Sequence, residues 1–195
     1  GSSHGYDVAD AVKINSELDD YSLGCRVFGV YAFYIQPWKN AFDKSYSSLE
    51  RATAAGKRSG DLIGLYILKT HRLNLHLVSG LPLKELLHWD FGESYPGREL
   101  TYYITHYQMS LLKFLAGESA VFTMPRQQPS WLAAELTIQE EKFYRNYVWA
   151  RYYFLFGHYE LAAWSAQEAD NNRKLQEGSP LLPANLFTWF LSITQ

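Results

Sequence analysis

Several stretches of this 195-residue sequence carry side chains that could do chemistry. Asp19-Asp20 invites a divalent-cation site like that of all-α isoprenoid enzymes. There, several carboxylates on one helix face hold metal ions and a diphosphate. That site needs a further acid three residues beyond Asp20, where the chain has Leu23. Asp170-Asn171-Asn172 offers a second half but lacks the Ser and Glu that would complete it. The Asp pair therefore reads as acids at a helix N-terminus, meeting the positive end of the macrodipole. Gly56-Lys57-Arg58-Ser59-Gly60 has the Gly, Lys and Ser of a phosphate-cradling loop. It lacks the upstream Gly and follows a helix, not a strand, so it reads as an interhelix turn with Ser59 or Asp61 capping the next helix.

The remaining candidates fail on geometry. His71 and His76 lie about 140° apart around a helix, whereas a metal pair needs a spacing of three or four residues. His88, His106 and His158 belong to no convincing ligand-spaced carboxylate motif. Cys25 lies in an apolar stretch beside Arg26, which would lower its pKa only if the thiol were exposed. With no base partner it reads as a small buried hydrophobe. We therefore expect no catalytic residue, no metal and no cofactor, and hence no enzyme. What stands out is the aromatic content, 16% of the chain, with Tyr102-Tyr103, Tyr144, Tyr147, Trp149 and Tyr152-Tyr153-Phe154 in clusters. Such rings fill the seams between stacked helices or line a pocket or groove with their polar tips.

Composition narrows the classes. Hydrophobic residues make up 47% and charged residues 19%, a globular balance. A formal net charge of −2 offers no field to attract nucleic acid or acidic lipid. A single cysteine cannot form an internal disulfide and points to a reducing, cytoplasmic setting. No run of about 18 apolar residues is present to cross a membrane. Gly1 to Gly5 reads as an expression scar. The final apolar run, residues 187–193, suggests a piece of a longer chain.

The elements that would position these side chains are helices. Apolar residues recur at helical spacing, and sustained alternation is missing. Helices are expected over 6–18, 20–35, 39–56, 61–79, 82–90, 98–116, 140–156 and 158–174, with another starting near Pro183. Residues 118–136 read as a loop followed by a short helix. In the helix from 140, Phe143, Tyr147, Ala150 and Phe154 share one arc, with Glu141 and Arg145 across from it. Thr137 and Glu140 have capping-box spacing. Breaks near Gln36, Gly80, Gly117 and Gly157 recur at a period near 40 residues, which is the mark of a helical solenoid. One domain over residues 6–195 follows, with units of about 20–56, 61–90, 98–136 and 140–175.

Gly157-His158-Tyr159-Glu160-Leu161-Ala162, followed by Ala166 and Ala169, resembles a tetratricopeptide repeat. Tyr153 matches that family's first-helix aromatic, and Ala150 stands where the family prefers Gly. The order Trp38, Gly60-Asp61, Gly80-Leu81-Pro82-Leu83-Lys84-Glu85 and Tyr153 to Ala162 is similar to the central helical region of large signalling ATPases. In those proteins a nucleotide-binding domain precedes the repeats, and sensor or histidine-kinase domains follow. The resemblance implies an α-α superhelix of antiparallel pairs acting as a cytoplasmic interaction or regulatory module. It implies no ATPase or kinase activity, because those motifs are absent. It also implies a concave groove that binds a peptide or a flanking domain of the same chain, with Arg26, Asn74, Tyr107, Tyr144, Tyr147 and Arg151 facing it. A small-molecule sensor with an aromatic-lined pocket is the alternative, and a metal-dependent all-α enzyme a more distant one.

Overall fold

The computed structural model describes residues 4–18, 20–82, 84–87, 99–120, 122 and 135–194. Asp19, His88 and most of 118–136 lie outside the described residues, as do the side chains of Tyr102 and Tyr103. All regular structure among the described residues is helical. The chain forms two compact units: residues 1–81 with 178–180, and residues 82–177 with 181–195.

The first unit holds α1 (His4–Leu18), α2 (Tyr21–Val30), α3 (Gln36–Lys39), α4 (Phe42–Ser59) and α5 (Leu62–Ser79). Asp20 caps α2: its Oδ1 accepts from Ser22 N at 2.8 Å, Leu23 N at 3.4 Å and Ser22 Oγ at 2.7 Å. These bonds, the Ser22 hydroxyl's above all, hold the Asp20 carboxyl below its usual pKa. Asp61 caps α5, accepting from Gly64 N at 2.8 Å. The carboxylate at 20 and the turn at 56–61 thus do capping work.

The break expected at Gln36 is displaced. After Val30 the chain widens into a π-helical turn, Tyr31–Ile35, and continues helically to Lys39. Pro37 would clash with the carbonyl four residues back in a continuous α-helix. The wider turn, in which Gln36 N bonds Tyr31 O, relieves that clash, so helical structure ends only at Asn40. Gly56 likewise does not break α4, which runs to Ser59 and ends at Gly60. Gly56 is there for close approach. A Cβ on it would stand 2.8 Å from Cys25 Sγ, and a Cβ on Gly64 would stand 2.6 Å from the same sulfur. Cys25 therefore sits where α2, α4 and α5 come closest, in a core with Phe28, Phe33, Leu49, Leu68 and Leu73.

The second unit holds α6 (Lys84–Leu87), α7 (Glu99–Leu115), α8 (Glu135–Leu155), α9 (Tyr159–Asn171), a 3₁₀ turn (Arg173–Gln176) and α10 (Leu181–Ile193). The turns expected at Gly117 and Gly157 are present, with φ of 77° and 76°. Only glycine adopts that backbone without strain. Phe143, Tyr147 and Ala150 are buried as the arc predicted, against Ala162, Ala166 and Ala169 of α9. One expectation fails here. α8 starts at Glu135, so Thr137 lies inside the helix and not at its start. Glu141, across from the apolar arc, is nonetheless 1% exposed. The Tyr107 hydroxyl donates to its Oε1 at 2.8 Å, and Arg145 lies 3.6 Å away.

Candidate functional site

Of the six groove residues, Arg26 and Asn74 lie in the first unit and the other four in the second. Arg26 is exposed on α2 and pairs with Asp61, Nε to Oδ2 at 3.4 Å. Asn74 is fully buried in α5. Tyr107, Tyr144 and Tyr147 are buried in the second unit. The Tyr144 hydroxyl donates to Gln176 Oε1 at 3.3 Å, and the Tyr147 ring lies parallel to Phe143 at 6.0 Å. Arg151 is half-buried and donates from Nη1 to the Tyr147 hydroxyl at 3.0 Å. Asn74, Tyr107, Tyr144 and Tyr147 thus face the interior rather than a groove. The resemblance assumes regular repeats, and here these four positions fall on the core-facing stripe of their helices.

Cys25 has its thiol raised to about 11, first by burial and then by the Asp61 carboxylate; Arg26 opposes this weakly. His71 stacks on Phe33, centroids 4.3 Å apart and planes within 3°, with Tyr34 edge-on at 5.8 Å. Its Nδ1 is shut off from solvent without a hydrogen-bond partner. Burial pushes its pKa down to about 4, so the ring is neutral. Among the described residues no three His, Cys, Asp or Glu side chains lie close enough to hold a metal ion.

What the structure does bring together is a set of rings. Trp149, Tyr152, Tyr153 and Phe156 occupy positions i, i+3, i+4 and i+7 of α8 and its last turn, which places them on one stripe. Phe114 from the end of α7 and Phe122 beyond the Gly117 turn join them. Trp149 and Tyr153 stack at 5.1 Å, and Phe122 and Tyr152 at 4.6 Å. Phe122 meets Trp149 edge-on at 5.0 Å, and Phe114 lies 5.8 Å from Tyr152 and 5.6 Å from Phe156. Phe156 is exposed and the other five are half-buried. α8 therefore has two apolar faces: one closes the core, and the other shows part of each ring to solvent.

This second face is what the sequence reading missed. The sequence clusters Tyr152 and Tyr153 with Trp149, but the single arc through Phe143, Tyr147, Ala150 and Phe154 gives the helix only one apolar side. The rings touch each other, so the cluster presents a surface. A planar ligand held between two rings would need about 7 Å between them, two contacts of roughly 3.5 Å. The spacings here are shorter. No protein-family model matches this chain, and neither does any curated protein or solved structure.

Proposed function

We propose that the chain is a non-catalytic interaction module that docks a peptide or a neighbouring domain on the aromatic stripe of α8. The observation that carries this is the continuous set of six partly exposed rings at the α7–α8 end of the second unit. Aromatic side chains supply much contact area at little rotamer cost, and they dominate interface hot spots. The finer architecture belongs to the same proposal. The helix pairs stack as a tetratricopeptide-like solenoid, and the module serves a larger cytoplasmic signalling protein. The resemblance of residues 157–169 to that repeat supports this, as do the glycine turns at 117 and 157. The small-molecule reading is less well supported, because the rings already fill the space between them.

A displayed-peptide selection tests the proposal. The wild-type chain should enrich a consensus whose synthetic peptide binds at least about tenfold more tightly than it binds Trp149→Ala or Tyr153→Ala. Both variants should keep the wild-type circular dichroism. Absence of enrichment, or equal binding by both variants, rejects the docking face. A stabilising hit in a thermal-shift screen of metabolites, lost in Trp149→Ala, would favour the sensor reading instead.

A further inference from the structure

α10 is built inside out. From Leu181 to Ile193 it contains no ionisable residue. Its side toward the rest of the second unit carries Leu181, Asn185 and Ser192, all buried, and the Asn185 amide donates to the Ala166 carbonyl at 2.9 Å. Its opposite side is apolar and open: Leu186 is 38% exposed, Phe187 63%, Phe190 59% and Ile193 64%. At 100° per residue these four lie within one broad arc, flanked by the half-buried Trp189 and Leu191. An apolar helix face ordinarily packs against another element.

We propose that this face packs against the same face of a second copy of the chain, across a two-fold axis. In such an interface a residue near the axis meets its own counterpart. A charge there would face its like, and this arc holds none. The whole-chain charge of −2 opposes association only weakly. Area sets the strength. The six side chains leave about 500 Å² open per copy, so two copies would bury about 1,000 Å², the lower bound for a specific interface. The product is a reversible dimer rather than an obligate one. A charged partner has nothing on this face to recognise, and the lack of Lys and Arg on α10 offers no attraction to an acidic membrane surface.

Sedimentation equilibrium of the 195-residue chain, with Phe190→Asp as the variant, tests this directly. The wild type should dissociate over a micromolar concentration range. Phe190→Asp should weaken the dimer at least about tenfold while keeping the wild-type circular dichroism. As a second measurement, Phe190→Cys should form a crosslinked dimer on mild oxidation, because Cys25 is buried and cannot compete. A wild-type monomer at all concentrations overturns the proposal, as does a dimer indifferent to Phe190→Asp. Monomer that binds neutral vesicles through Phe190 would also overturn it and make lipid the occupant.

Discussion

His71 shows what a half-buried ring with one sealed nitrogen costs and contributes. Its Nδ1 is sealed against Phe33 of the π-helical turn, and its pKa falls from 6.5 to about 4. The unfolded chain therefore binds a proton that the folded chain refuses between those two values. The sign follows: stability is fully present above pH 6.5 and is lost as pH falls toward 4. The depression corresponds to about 3 kcal/mol at most. Urea melts of wild type and His71→Phe at pH 7.5 and 4.5 check this. The wild type should lose about 2–3 kcal/mol more than the variant across that range, and parallel losses would contradict it. Composition could not reveal this environment. The sequence places His71 on a helix, but the stacking partner lies on another helix, in a turn whose widened geometry local periodicity does not encode.

At the scale of elements, Glu141 joins α7 to α8. Its carboxylate accepts from Tyr107 deep in the second unit. Glu141→Ala should cost about 3 kcal/mol, because the hydroxyl loses a charged partner in a dry site. Glu141→Gln keeps an acceptor and should cost less. Combining Glu141→Ala with Tyr107→Phe should cost less than the two single changes added together, which a double-mutant cycle in urea would read. A Glu on the far side of an amphipathic pattern is ordinarily solvated, so no reading of α8 alone would bury it. The parts of the helices that were legible depend on local chemistry. Gly117 and Gly157 end helices through backbone geometry, and Asp20 and Asp61 begin them through side-chain acceptors. The parts that were not legible depend on which helix lies opposite: the two apolar faces of α8, the close approach at Gly56, and the turn that carries Pro37.

At the scale of the whole molecule, an uncharged α10 face ties stability to concentration. If two copies share that face, unfolding must also separate them. The melting temperature should then rise as protein concentration rises. Differential scanning calorimetry over a hundredfold concentration range should show this for wild type and not for Phe190→Asp. The first unit carries a different long-range dependence. Trp38 Nε1 donates to the Gly178 carbonyl at 2.7 Å, and residues 178–180 belong with residues 1–81. Ribosomes deliver a chain from its N-terminus, and domains ordinarily fold in that order. Here the tryptophan made early must wait for a carbonyl 140 positions later. The unit translated first is therefore completed by three residues made after most of the second.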